Sequence, residues 1–185
     1  MSRTRARVGT AIVWIKADKQ VPMRNKKERF AGRPSAQIAL AIGTGVLAGI
    51  AGTAAITLSQ MIEMKITGRK PSNVPAAAAE KVLDIRAATE NDRSSLSQEV
   101  HWAYGTLWGL PRGVLSGLGI RSWPASLLHF AAIFTGALTI PAALEVSSPP
   151  KEWSAKELAT DALHHAVYAC AAGWVADRIV SRRRR

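Results

Sequence analysis

The chain has 185 residues, 48% of them hydrophobic, and its 25 Lys and Arg against 13 Asp and Glu give a formal net charge of +12. This length suits one domain, and a single cysteine, Cys170, excludes an intrachain disulfide. In a soluble protein the positive charge would indicate a nucleic-acid partner. Here more than half of the basic residues lie before Pro34 or after Val180, so we expect them to flank a membrane and expect no nucleic-acid partner.

Residues 1–34 form a basic segment with one short apolar run, from Thr10 to Ile15. Such a run is too short to cross a bilayer or to form the core of a signal peptide. We expect a cytoplasmic tail, with a short interfacial helix around Trp14 as one possibility. Its Lys and Arg side chains would contact anionic lipid headgroups.

The stretch from Ser35 to Ile62 has no charged residue and is long enough to cross a hydrocarbon core of ~30 Å with some tilt. We therefore predict the first membrane span at about 35–62. Small residues recur in it at every fourth position, a pattern typical of helices that pack closely in membranes. They are Ala41, Gly45, Gly49, Thr53 and Thr57.

A polar stretch follows, and within it the sequence PAAAAEKVLDIRAA consists mostly of good helix formers. It predicts a helix at 75–88 that lies on the outward surface. Further along, Ser95 followed by Gln98 resembles a capping box. This box would begin the second span, at about 99–120.

The second span contains three overlapping GxxxG steps, formed by glycines at every fourth position. These glycines are Gly105, Gly109, Gly113 and Gly117. The segment would make a poor helix in water, because each glycine costs ~1 kcal/mol relative to alanine. In a bilayer a ridge without side chains allows a neighbouring helix to approach closely, so we expect this helix to pack against the first span.

Two further spans are predicted, at about 124–144 and 157–180. The first of them has no charge, and the second begins with a capping box formed by Ser154 and Glu157. Because the last span contains two aspartates, an amphipathic interfacial helix is the alternative. An even number of crossings places the basic chain end, 181–185, on the same side as the basic tail, and the positive-inside rule makes this side cytoplasmic.

These segments predict an all-α fold, a polytopic four-helix membrane bundle with an extramembrane surface helix. The membrane domain would cover residues 35–180, between a basic cytoplasmic tail at 1–34 and a basic cytoplasmic end at 181–185. Both chain ends would then be cytoplasmic.

The chain also contains EMKITGRKPS at 63–72, HWAYGTLWG at 101–109 and DALHHAVYACAAG at 161–173. These three segments resemble the YagU-like small inner-membrane proteins of bacteria, a family of unknown function. The resemblance implies a multi-span bundle in the bacterial inner membrane. It implies no catalytic residue.

Several polar side chains fall at the predicted outward ends of the spans. They are Glu63, His101, Tyr104, Asp161, His164 and His165. Ionisable groups at membrane depth usually face the bundle interior or a water-filled cavity, so these six residues form a candidate polar cluster. The alternative is that they join helices through hydrogen bonds.

Three kinds of ligand suit such a cluster. Two histidines on facing helices suit a b-type haem, and histidines with carboxylates suit a divalent metal ion. A proton or ion path would use the same groups together with Arg112 and His129. We expect His129, however, to lie too far away to join the outward cluster.

Arg112 directly follows Pro111, and a proline weakens the helix backbone one turn before it. Arg112 could satisfy carbonyl groups there or reach the last span. We predict an intramembrane ion pair between Arg112 and Asp177.

No GxSxG, P-loop, CxxC or HExxH sequence is present, so we expect no enzyme activity and assign no cofactor. The predicted function is a non-enzymatic accessory or scaffolding component that packs through glycine-rich helix faces. Its partners would be the lipid bilayer and other membrane subunits or further copies of the chain. The alternative is a proton or ion transporter, a channel, or a haem- or metal-binding membrane protein that uses the polar cluster.

Overall fold

The computed structural model describes residues 3–8, 11–16 and 34–184. The chain divides into two compact units, Met1–Arg33 and Pro34–Arg185. Each unit has its own kind of secondary structure.

The first unit includes two strands, β1 (Arg3–Val8) and β2 (Ala11–Lys16), which pair antiparallel. The short helix considered around Trp14 is therefore wrong, since Trp14 lies in β2 and pairs with Arg5. The run AIVWIK is rich in β-branched and aromatic residues, which favour a strand. The remainder of the predicted tail, up to residue 33, lies outside the described residues.

In the second unit, the regular elements between residues 34 and 184 are all helical, as the predicted all-α class requires. They are α1 (Pro34–Thr67), α2 (Val74–Leu83), α3 (Glu90–Gly117), α4 (Ser122–Ala143), a single 3-10 turn (Pro150–Glu152) and α5 (Ala155–Arg184).

The two predicted capping boxes had different outcomes. The box at Ser154 and Glu157 is confirmed, because the backbone N–H of Glu157 donates to Ser154 Oγ at 3.2 Å and Glu157 Oε2 accepts from the Ser154 N–H at 2.7 Å. The box at Ser95 is wrong, since α3 already begins at Glu90. There the Thr89 hydroxyl accepts from the N–H of Asp92 at 3.1 Å and caps the helix.

Two other helix ends differ from the prediction. The surface helix α2 ends at Leu83 rather than at 88, because Asp84 adopts a left-handed conformation with φ of 52°. The first long helix, α1, continues to Thr67, beyond the end of the apolar stretch at Ile62.

The core of the second unit is built mainly from small side chains where α1 packs against α3 and α5. Its buried apolar residues are Ala48, Ile56, Ile133, Tyr168, Ala169, Ala172 and Ala176. Helix α4 packs mostly against α5, and α2 packs against α3.

The glycine rows of α1 and α3 lie in the contact between these two helices. A Cβ atom on Gly45 would lie 2.8 Å from Leu110 Cα, and one on Gly109 would overlap the backbone of Gly45 and Gly49. Backbone atoms cannot move aside as a flexible side chain can, so the helices approach this closely only because these positions carry no side chain. The Cβ of Gly117 would lie at an ordinary 3.5 Å from Ala41, at the edge of this contact.

Of the helices in the described part of the chain, α1 and α4 are long and apolar enough to cross a membrane. Their apolar windows are only 33% and 22% buried, unlike the core helices of soluble proteins, which are mostly buried. Helices α3 and α5 fail the same criterion. Helix α3 opens with a polar stretch and contains Arg112, and α5 carries charged residues at both ends.

Candidate functional site

An ion pair joins α3 to α5 at one end of the bundle. Arg112 is fully buried, and its Nη2 lies 2.7 Å from Asp177 Oδ1, so the pair expected from the sequence is present. Arg112 Nη1 also donates to Ser116 Oγ at 2.6 Å. The second carboxylate oxygen of Asp177 accepts from the backbone N–H of Ser122 at the start of α4, at 3.1 Å. One carboxylate therefore links three helices.

His129, on α4, is buried next to the proline of α3. Its Nε2 lies 2.8 Å from the carbonyl oxygen of Trp108, one turn before Pro111. A carbonyl can only accept, so the Nε2–H donates. The proline weakens the backbone ladder at this turn, and the imidazole supplies a donor from another helix. Sequence reasoning considered only Arg112 for this role.

The expectation that His129 lies too far away to join the outward cluster stays a prediction, although its ring does approach α5. The centroid of its ring lies 5.7 Å from that of Tyr168, one helical turn from His164 on α5. The sequence places His129 near the start of α4, but it does not give the depth at which α4 crosses α5.

Within the predicted polar cluster, Glu63 bonds to residues that follow it closely in the sequence. Its carboxylate accepts from Arg69 Nε at 2.9 Å and forms an ion pair with the same guanidinium at 2.8 Å. Thr67 also donates to it at 2.9 Å. Glu63 is therefore held by local partners and is not joined to the histidines by a hydrogen bond.

Two of the three histidines of the cluster bond to α1. His101 Nε2 lies 3.0 Å from Thr57 Oγ1, and His164 Nδ1 lies 2.8 Å from Ser59 Oγ, so both connect to α1. Thr57 and Ser59 were not predicted as hydrogen-bond partners of these histidines. Thr57 was predicted only as a member of the small-residue row. These bonds match the alternative in which the cluster joins helices.

His165 turns toward Asp161 on its own helix. Its Nδ1 lies 2.9 Å from the Asp161 carbonyl oxygen and 3.4 Å from the carboxylate Oδ2. In the part of the chain that the structure describes, no group of three or more His, Cys, Asp or Glu is placed to hold a metal ion. The divalent metal site considered from Glu63, His101, Asp161 and His165 is therefore not formed. Glu63 pairs with Arg69 instead.

A cavity of about 70 Å³ nevertheless brings part of the cluster together. It lies between α1, α3, α4 and α5, and we call it the His–Tyr cavity. Its polar and aromatic lining consists of His101, Tyr104, Trp108, His165 and Tyr168. Three of these residues, His101, Tyr104 and His165, belong to the predicted cluster.

Tyr168 closes one side of the His–Tyr cavity. Its hydroxyl donates to the Gly105 carbonyl oxygen at 2.5 Å, and its ring covers Gly52, where a Cβ would lie only 2.7 Å from the ring. Gly105 on α3 thus accepts a hydrogen bond, and Gly52 on α1 leaves room for the ring. Gly105 in addition faces the side chain of Thr53.

The polar groups of the bundle therefore form two sites, the Arg112 to Asp177 pair and the His–Tyr cavity. Between them lie Tyr168 and His129. Comparisons with models of protein families, with curated proteins and with solved structures found no match to this chain.

Proposed function

We propose that residues 34–184 form a four-span integral membrane bundle and that the protein is a non-enzymatic accessory or scaffolding component of a membrane assembly. One observation carries the membrane part of this proposal. The largest fully buried side chains of the described residues are all polar, namely Arg112, His129, Thr44 and Thr53. Large apolar side chains, in contrast, cover the outside.

This distribution is the reverse of what water favours. Burial of apolar surface contributes about 25 cal/mol per Å², so soluble proteins place Leu and Ile inside and leave charged residues outside. Here every long helix exposes large apolar residues. Examples are Leu47 on α1, Leu107 on α3, Leu128 on α4 and Leu163 on α5, all more than half exposed. Hydrocarbon chains around the bundle would make this surface favourable.

The same distribution supports the proposal that α3 and α5 also cross the membrane, although their composition is less apolar than that of α1 and α4. The charged groups in their middle parts are not directed to lipid. Arg112 is fully buried and paired with Asp177, as intramembrane charges usually are.

The connections between helices also suit four antiparallel crossings. An even number of crossings places the α1–α3 connection and the α4–α5 connection on the same outward side. Lys81 in the first and Glu145 in the second form an ion pair at 2.7 Å. On the opposite side, the turn between α3 and α4 contacts α5 through Ser122 and Asp177. Both chain ends would then be cytoplasmic.

The accessory role is supported by what the polar groups do. Most of them join helices, as His101, His164 and Arg112 do. The glycine rows are taken up by the contact between α1 and α3, so a partner subunit or a second copy would pack on the outer faces. Helix α4 has the fewest neighbours within the bundle and exposes Trp123 and Leu127.

The resemblance to the YagU-like family remains part of this proposal, and with it the bacterial inner membrane as the location. The basic residues near both chain ends would contact anionic headgroups, each contributing ~1 kcal/mol. We assign no cofactor and no nucleic-acid partner.

A transporter, a channel or a haem or metal carrier is the second candidate, and the His–Tyr cavity is the observation that favours it. Its 70 Å³ is far below the ~300 Å³ at which pockets begin to hold drug-sized ligands, so a haem would not fit without rearrangement. A path for cations through the bundle would also pass Arg112, whose permanent positive charge opposes it.

Cysteine labelling tests the topology. In a Cys170→Ser background, single cysteines replace Lys70, Ser148 or Ser181, three exposed positions. We expect an impermeant maleimide to label positions 70 and 148 from outside intact cells, and position 181 only after permeabilisation. Release of the protein by alkaline washing, or labelling of position 181 in intact cells, would contradict four crossings with cytoplasmic ends.

Native mass spectrometry in mild detergent tests the scaffolding role separately. We expect a complex heavier than one chain, formed with a partner or with further copies. A single chain without a partner under conditions that preserve other membrane complexes would contradict this role and leave the topology unaffected.

A further inference from the structure

Two histidines that line the His–Tyr cavity from different helices each carry an unprotonated ring nitrogen. For His101 this follows from Thr57. The Thr57 hydroxyl donates its only proton to the Thr53 carbonyl at 2.7 Å, so its oxygen must accept from His101 Nε2. A neutral His101 therefore carries its proton on Nε2 and keeps a lone pair on Nδ1.

The corresponding argument for His165 rests on the backbone of α5. The Asp161 carbonyl oxygen can only accept, so His165 Nδ1 donates to it at 2.9 Å. A neutral His165 then keeps its lone pair on Nε2. Neither lone pair has a hydrogen-bond partner among the described residues, and neither nitrogen is sealed by surrounding atoms, unlike Nδ1 of His129 and Nε2 of His164.

The remaining lining attracts positive charge. Tyr104, Trp108 and Tyr168 contribute aromatic rings, whose faces attract cations. The rings of Tyr104 and Trp108 are 6.0 Å apart and nearly perpendicular. Behind His165, the carboxylate Oδ2 of Asp161 lies 3.4 Å from Nδ1 and has no hydrogen-bond partner among the described residues. Hydrogen-bond acceptors, aromatic ring faces and a negative charge thus lie near one another.

Size and ligand number decide which cation fits. The cavity of about 70 Å³ can hold one or two groups of the size of water, each of which occupies ~30 Å³ in the liquid. Protein sites for transition metals usually supply three or four ligands, and the described residues offer no group of three here. A cation that donates N–H bonds needs only acceptors and aromatic faces.

We propose that the His–Tyr cavity is a binding site for the ammonium ion, which donates one N–H to His101 Nδ1 and another to His165 Nε2. Tyr168 lines the cavity and donates to the Gly105 carbonyl, and what we propose is a binding site rather than a passage. The proposal depends on the geometry of the bundle and not on the scaffolding role.

The experiment is a titration of the purified full-length protein, labelled with ¹⁵N in its histidine rings, in detergent micelles at about pH 8, where ordinary imidazoles are neutral. Ammonium chloride is compared with potassium chloride at the same ionic strength, because potassium has a similar size and no N–H donor. We expect ammonium to shift the unprotonated ring nitrogens of His101 and His165 saturably. Potassium should bind at least about tenfold more weakly.

Two variants remove the acceptor nitrogen from its position in the ring and keep the structural hydrogen bond through an amide N–H. In His101→Gln the amide can still donate to Thr57, and in His165→Asn it can still donate to the Asp161 carbonyl. Each should weaken ammonium binding at least about tenfold, whereas the matched control His164→Asn, outside the cavity lining, should leave it unchanged. Elution volume and helical circular dichroism identify variants that remain folded. One folded variant of the two is sufficient for the test.

Several results would overturn the proposal. These are no saturable shift, equal shifts with potassium, saturation by Zn²⁺ but not by ammonium, or wild-type affinity in both folded variants. None of these outcomes depends on whether the protein purifies with a partner.

Discussion

Arg112 Nη2 and Asp177 Oδ1 lie 2.7 Å apart, across the contact between α3 and α5. The guanidinium is fully buried, while the carboxylate is 29% exposed and also caps the start of α4 through Ser122. The pair therefore neutralises the most buried charge of the bundle and fixes the position of three helices relative to one another.

Removal of one partner should destabilise the bundle strongly. Asp177→Asn leaves the guanidinium buried without a counter-charge, and we expect the free energy of unfolding in detergent to fall by roughly 3–5 kcal/mol. Arg112→Met, and both changes together, complete a double-mutant cycle measured by denaturant titration. The coupling energy should reach at least ~1 kcal/mol.

The exposed pair of Lys81 and Glu145 provides the control for this cycle. Its side chains are 46% and 83% exposed, so the same cycle with Lys81→Met and Glu145→Gln should give a coupling energy well below that of the buried pair. Additive effects at Arg112 and Asp177 would mean that the pair does not hold the helices together.

The contact between α1 and α3 should not tolerate a methyl group at its centre. The Cβ of Gly109→Ala would overlap the Gly45 carbonyl and the backbone of Gly49, so the helices must separate. We expect a loss of about 1–3 kcal/mol or more, as for other overpacked cores. Unfolding of the variant in detergent, followed by circular dichroism, measures this loss.

Two glycines outside the centre of this contact serve as matched controls. The methyl group of Gly43→Ala would meet no packing neighbour within 4 Å, and that of Gly117→Ala would make an ordinary contact of 3.5 Å with Ala41. Alanine is the better helix former by ~1 kcal/mol, so both changes should be neutral or stabilising. Equal losses at Gly43 and Gly109 would show that close packing is not the cause.

The features that were predictable from sequence are those set by periodicity and by isolated charges. Rows of small residues at every fourth position on α1 and α3 indicate which faces can come close together. Arg112 is the only Lys or Arg between residues 99 and 120, and Asp177 lies toward the matching end of the last predicted span, so few alternatives for pairing exist there. The Ser154 capping box is local, so the sequence alone specifies it.

The features that were missed depend on competition between partners. Several Ser, Thr and Asp residues lie between 89 and 97, and the pattern does not tell which of them caps α3, so Thr89 was overlooked. For Glu63 the sequence left His101 and Arg69 open as partners, and Arg69 is the one observed, because it is close in sequence and costs less chain ordering to reach. The partner of His129 depends on the relative depth of α3 and α4, which no local pattern encodes.

His129 should stabilise the bundle by donating to the Trp108 carbonyl. His129→Phe keeps a ring but removes the donor, so the Trp108 carbonyl loses one of its two hydrogen bonds at a cost of about 0.5–1.5 kcal/mol. His129→Gln can place an amide N–H near the position of Nε2 and should lose less. Thermal unfolding of both variants in detergent measures the difference. Equal stabilities would contradict a role for this hydrogen bond.

The exposed ion pair between Lys81 and Glu145 should respond to acid. Hydrogen bonding and charge from Lys81 hold the pKa of Glu145 below its ordinary value of 4.5. Because the folded pKa is the lower one, the contribution of the pair is fully present above pH 4.5 and is lost as the pH falls through the folded pKa. The 144–154 connection should then separate from α2.

Spin labels at two exposed positions, Val82 and Ser148, can follow this separation in a Cys170→Ser background. We expect a narrow distance distribution near neutral pH that broadens in acid, and that also broadens at high salt because both side chains are exposed. Glu145→Gln removes the titrating group and should give a broad distribution independent of pH. A distribution that stays narrow well below pH 4.5 would mean that other contacts hold the two outward connections together.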